Sequence, residues 1–136
     1  MKLKFRAWLK KEQKMDNYID HISWLEDELY CIGDGITYMV SAEDLVLMQS
    51  TGLVDKNGKE IFEGDIVRTT RFLGRADEIG GFYEYEKDYV GVVEVLEGSW
   101  VIDTGSVAVR LWSEIDESEV LGNIYEKPEL LEVTHE

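Results

Sequence analysis

The chain has 136 residues, a length that suits one domain with a single core. At 44% apolar, 11% aromatic and 32% charged it has the composition of an ordinary folded protein, which excludes disordered and collagen-like classes. With 14 Lys and Arg against 29 Asp and Glu the formal charge is −15, which argues against a general role on nucleic acid or anionic membrane.

In chain order, residues 3–8 alternate with period two, placing Leu3, Phe5 and Ala7 on one face and Lys4, Arg6 and Trp8 on the other. That pattern predicts a half-buried strand. The basic start lacks the apolar run of a signal peptide, because Lys10, Lys11, Glu12 and Lys14 interrupt it, and no uncharged stretch reaches the ~20 residues of a membrane helix. A soluble, cytoplasmic protein is expected. Residues 10–16 are polar and predict a turn. Residues 18–38 are aromatic-rich, with Gly33, Asp34 and Gly35 as a tight turn between extended pieces. Ser41, followed by Glu43 and Asp44, fits a helix N-cap, yet residues 45–49 also read as a buried strand, and the strand is favoured.

The clearest local signal is Asn57-Gly58, which predicts a type I′ turn joining antiparallel strands. Gly64 permits a second turn, after which Asp65 can hydrogen-bond the backbone entering the β-prone residues 66–69. Residues 90–96 and 106–112 read as strands, the latter with Val107, Val109 and Leu111 on one face. A Glu97-Gly98-Ser99 turn leads to a short strand at residues 100–102, residues 120–125 predict the last strand, and Pro128 opens a short helical turn. Short strands between glycine turns predict a mainly β domain, a small barrel or compact antiparallel sheet with little helix. Residues 71–89 stand apart as a long variable loop carrying Phe72, Phe82, Tyr83, Tyr85 and Tyr89. A loop of that length is functional, disordered or folded back as a long hairpin.

Three separated pieces carry a family resemblance: residues 4–8 (Lys-Phe-Arg-Ala-Trp), the central residues 47–67 with Asn57-Gly58-Lys59-Glu60-Ile61-Phe62-Glu63-Gly64-Asp65, and residues 119–131 with Gly122-Asn123-Ile124-Tyr125. Together they resemble the YopX family of phage and prophage proteins. Leu9 stands where that family usually has an acidic residue. The resemblance implies a β-rich fold similar to small SH3-like barrels, carriage on a phage or prophage, and self-association; it supplies no reaction and no catalytic residues.

The chemistry of the side chains points the same way. Cys31 is the only cysteine, so a disulfide, a Cys-rich zinc site and a redox Cys pair are excluded within the chain. His21 and His135 are the only histidines, and no hydrolase elbow, dinucleotide fingerprint or phosphate loop occurs. Aligning Gly58 to the sixth position of a calcium loop puts Leu53 first and Gly64 twelfth, where carboxylates are required. No catalytic, cofactor-binding or metal site is therefore expected. Asn57, Gly58, Gly64 and Asp65 are assigned to turns. The interface candidates are Trp8 and Trp112, which fall opposite the apolar faces of their strands, and Phe82, Tyr83, Tyr85 and Tyr89.

Charge is uneven. Residues 1–14 hold six basic residues and one acidic, whereas Met15 to Ser50 contain no Lys or Arg. A basic end and an acidic body can attract each other within one molecule or between two. The expectation is a non-enzymatic binding or assembly module, self-associating into a homo-oligomer, with a host or phage protein as a further partner. The alternatives are an acidic decoy that occupies the nucleic-acid site of a host protein, and a nucleic-acid binder acting through the basic N-terminus.

Overall fold

A computed structural model describes residues 4–25, 28–33, 36–76, 80–111 and 116–134. The protein is mainly β, as composition and turn spacing predict, with two antiparallel sheets, one a half-barrel, and one short helix. The single domain read from the sequence divides into two compact units, residues 1–52 and 53–136, because each buries an apolar cluster of its own.

In the first unit, β1 (Phe5–Leu9), β2 (Lys14–Leu25), β3 (Glu28–Gly33), β4 (Ile36–Ser41) and β5 (Leu45–Val54, crossing the boundary) lie in the order β4-β3-β2-β1-β5. The first strand is not half-buried as its alternation predicts. Arg6, Ala7 and Trp8 are all buried, with Trp8 7% exposed, so Trp8 is withdrawn from solvent. The physical reason is that β1 is a central strand whose rungs on the Arg6–Trp8 face are apolar and buried: Trp8 pairs with Met15, and Arg6 pairs with Met48. On the other face, Ala7 and Leu45 pack with Leu9, Ile19, Ile22, Val40 and Leu47.

The expected turn after β1 is present at residues 10–13, closed by Gln13, whose φ of 53° is left-handed and whose Nε2 donates to the Lys10 carbonyl at 2.8 Å. Lys10 Nζ donates to the Glu43 carbonyl at 2.9 Å and Lys11 pairs with Asp44 at 3.2 Å. Lys11 thus meets a carboxylate of its own unit, and Lys10 a backbone carbonyl beside it. Both readings of residues 41–49 are realised in succession: the Ser41 hydroxyl accepts the Glu43 N–H at 3.4 Å to open one 3-10 turn (Ala42–Asp44), and β5 follows. His21 on β2 and Cys31 on β3 have side chains outside the described residues, and His135 lies outside them too.

In the second unit, β6 (Glu60–Phe62) folds back beside the end of β5, and β7 (Asp65–Ala76), β8 (Phe82–Leu96), β9 (Ser99–Asp103), β10 (Ala108–Arg110) and β11 (Glu117–Asn123) form a sheet in the order β10-β9-β8-β7-β11. Helix α1 (Glu129–Thr134) follows Pro128. The core is Ile61, Val67, Val93, Ile102, Val109 and Leu111, with Leu53, Tyr89, Trp100 and Val120 against it. Two members of the predicted Val107, Val109, Leu111 face are buried; Val107 is 52% exposed because it precedes β10, in the turn where Thr104 N–H donates to its carbonyl.

The Asn57-Gly58 turn joins two antiparallel strands, but not as type I′. Gly58 has φ 81°, whereas Asn57 is not among the described non-glycine residues with positive φ. Gly58 N–H donates to the Asp55 carbonyl at 2.9 Å and Asp55 N–H to the Lys59 carbonyl at 2.8 Å. This is a three-residue connection, a type I turn closed by a glycine in the left-handed region. Asp55 selects it, because its carboxylate draws in the N–H groups of Asn57 and Lys59.

Over residues 71–76 and 82–89 the hairpin alternative is the one realised: β7 and β8 pair from Ile66↔Val92 out to Ala76↔Phe82. Alternating β-prone residues on both sides of the segment let the ladder extend outward from the core.

Candidate functional site

Asp55 is 6% exposed and its carboxylate is saturated by backbone. Oδ1 accepts the N–H groups of Asn57 and Lys59, each at 2.9 Å, and Oδ2 accepts the Val120 N–H at 2.9 Å. The Lys56 N–H donates to the Ser118 carbonyl at 2.8 Å. One side chain therefore ties the turn after β5 to β11, across 65 positions of sequence. Burial by itself raises the pKa of such a group; the three N–H donors and the charge of Lys59 outweigh it and hold the carboxyl below its ordinary value.

Beside this tie lies an open groove of about 400 Å³, walled by Leu53, Val54, Ile61 and Leu111 and carrying Asp55 and Asp116. The Asp116 side chain is 2% exposed and its Oδ2 accepts Arg71 Nη2 at 2.8 Å and Nε at 3.1 Å, while Arg71 Nη2 also donates to the Arg110 carbonyl at 3.1 Å. Both carboxylates are thus engaged in holding backbone and guanidinium, which makes the groove a structural junction. Among the described residues no three His, Cys, Asp or Glu side chains gather as a metal site.

The second candidate surface is the outer part of the β7–β8 hairpin. Strand β11 pairs with β7 only up to Thr70, and β9 pairs with β8 only from Val92 onward. Residues 71–76 and 82–87 therefore pair with each other and with no other described strand, forming a two-stranded arm. At its base the Tyr89 ring lies under two cations, Lys87 Nζ at 5.2 Å and the Arg71 guanidinium at 6.0 Å. Further out, Phe72 is 45% and Tyr85 40% exposed.

Of the predicted contact residues, the hairpin brings Phe82, Tyr83, Tyr85 and Tyr89 onto one strand. Tyr85 is exposed, Tyr89 packs against the core, and the side chains of Phe82 and Tyr83 lie outside the described set, as does Trp112. Trp8, buried in β1, belongs to neither surface. Gly64 has φ 87°, and Asp65 Oδ2 accepts the Phe62 N–H at 2.8 Å, from the strand before the turn and not from the backbone entering residues 66–69. Sequence reasoning missed Asp55 and Asp116, and also Asn123, whose Oδ1 accepts the N–H groups of Tyr125 and Glu126. For Asp55 a signal existed, since an Asp two residues before Asn-Gly is placed to bond the turn's own amides. For Asp116 none existed, because its partner is 45 positions away.

The architecture defines a β-rich protein built of two antiparallel sheets whose polar junctions serve packing. The YopX protein family matches residues 4–132, and the chain belongs to that family. Among solved structures it is similar to the crystal structure of protein EF1440 from Enterococcus faecalis, at 24% identity and a TM-score of 0.54, over 96% of this chain and 99% of that one. This likeness concerns the fold alone. A comparison with curated proteins finds no match.

Proposed function

We propose that this protein is a non-enzymatic assembly module, carried on a phage or prophage, that associates with copies of itself. The observation that carries the reading is the two-stranded arm of residues 71–76 and 82–87 with Phe72 and Tyr85 exposed on it. An isolated two-stranded ribbon is at best marginally stable in water, and exposed aromatics of this kind are what subunit contacts use. The saturated carboxylates of the groove support a role that needs no reacting group. Light scattering at micromolar concentration and two salt concentrations tests it: a defined oligomer is expected, and a monomer under both conditions refutes it.

One observation favours a second reading, the acidic decoy. Glu84, Glu86 and Asp88 alternate along β8 and are all exposed, so they form a row of carboxylates on one face, spaced ~7 Å apart. Capture of a host nucleic-acid-binding protein that is released by competing DNA or RNA would support it; capture unaffected by either competitor would remove it.

A further inference from the structure

The sheet of the first unit ends on β4, whose only described neighbour is β3, paired over six rungs from Glu28↔Ser41 to Gly33↔Ile36 without a bulge. Every second residue of such an end strand turns its N–H and C=O outward, so about three residues present unpaired backbone groups. Folded proteins shield such edges with charge, proline, bulges or brevity. Strand β4 has none of these: its sequence, Ile-Thr-Tyr-Met-Val-Ser, carries no charge, proline or glycine in a chain that is 32% charged. Met39, in the middle of it, is 52% exposed. The other described strand ends differ. Strand β10 is three residues long and carries Arg110, β6 is three residues long and begins with Glu60, and β11 is met by the Lys56 N–H.

We propose that β4 pairs antiparallel with β4 of a second copy, joining two sheets into one across a two-fold axis; the inference rests on the assembly reading above and adds a second contact to that of the arm. A protein partner that replaces water along an open edge must itself bring an unpaired extended strand, and a second copy supplies one of equal length. Charge selects the same occupant. At −15, two copies repel each other through most of their surfaces, and an uncharged six-residue strand lets them approach with no like charges opposed along the ladder. Two-fold pairing is self-complementary, because each residue meets the same partner position in both directions. Each copy carries −15, so screening of the general repulsion between copies should tighten the dimer. That salt response is opposite in sign to association through the basic N-terminus.

The test combines light scattering with amide hydrogen exchange on the full chain. Raising protein concentration is expected to slow exchange at residues 36–41, and raising salt from 50 to 500 mM to lower the dimer dissociation constant severalfold. Met39→Glu, at an exposed position, is expected to abolish the concentration-dependent protection of residues 36–41 with an unchanged circular dichroism spectrum, whereas Val107→Ser, equally exposed in a turn of the second unit, leaves that protection intact. A wild-type oligomer whose β4 amides exchange at a concentration-independent rate overturns this inference and leaves the assembly reading standing. A wild-type monomer overturns both. The exchange measurement decides the matter on the unmodified protein even where Met39→Glu fails to fold.

Discussion

Replacing Asp55 by Asn probes the tie between the turn after β5 and β11 with almost no change of volume. The carboxylate accepts three backbone N–H bonds through two oxygens. An amide has one oxygen. If it faces Asn57 and Lys59, its NH₂ opposes the Val120 N–H; if it faces Val120, two donors of the turn are opposed. At least one charge-assisted bond of ~1.5 to 3 kcal/mol is lost and a buried donor is left unsatisfied, so a destabilisation of about 2 to 4 kcal/mol is expected. Urea unfolding followed by tryptophan fluorescence at pH 7 measures it, with an unchanged m-value showing that the denatured state is the same. The pH dependence supplies a second check. Because the folded carboxyl titrates below its unfolded value of 3.8, Asp55 contributes stability that is fully present above that pH and is lost as pH falls through the folded value. The variant lacks this contribution, so the gap between the two proteins should narrow as pH drops below about 4. A variant within about 0.5 kcal/mol of wild type at pH 7, or a gap that does not change with pH, would refute the assignment of Asp55 as the tie.

Two further perturbations test other junctions. Gly91→Ala places a Cβ 2.4 Å from the backbone oxygen of Asp103 and 2.9 Å from the Thr104 nitrogen, where no flexible side chain can give way; a loss of about 2 to 3 kcal/mol in thermal or urea unfolding is expected, and a neutral result would mean that the Asp103–Thr104 backbone is free to move. Burial, then the charge of Asp103 and a hydrogen bond to it, raise the pKa of Glu94 above its ordinary 4.5. The fold therefore holds that proton more tightly than the unfolded chain, and stability declines as pH rises through the folded value. Glu94→Gln is expected to be more stable than wild type at pH 7 by about 0.5 kcal/mol, a small figure because the site is partly solvated, and to lose that advantage below pH 4; equal stability across the range would rule out the repulsion.

Local chemistry in the sequence determined most of the strands and turns. Alternation announced β1, glycine and Asn-Gly signals placed the turns around residues 58, 64 and 98, and Pro128 marked the start of α1; residues 34 and 35 of the turn expected at residues 33–35 lie outside the described set. The mainly β class follows from those signals alone, since period-two patterns between glycine turns leave little room for helix. Tertiary structure decided what depends on neighbours distant in the chain. Trp8 and Arg6 are inside because β1 is central and its rung partners are apolar, which alternation within one strand cannot reveal. The turn at Asn57 took its form from Asp55, which is held in turn by Val120. Residues 71–76 and 82–87, read from the sequence as part of a loop, form an arm because positions 6 to 16 apart found a common register. Which edge remains open is a property of strand order, so β4, an unremarkable uncharged stretch in the sequence, acquires its significance only as the last strand of a sheet.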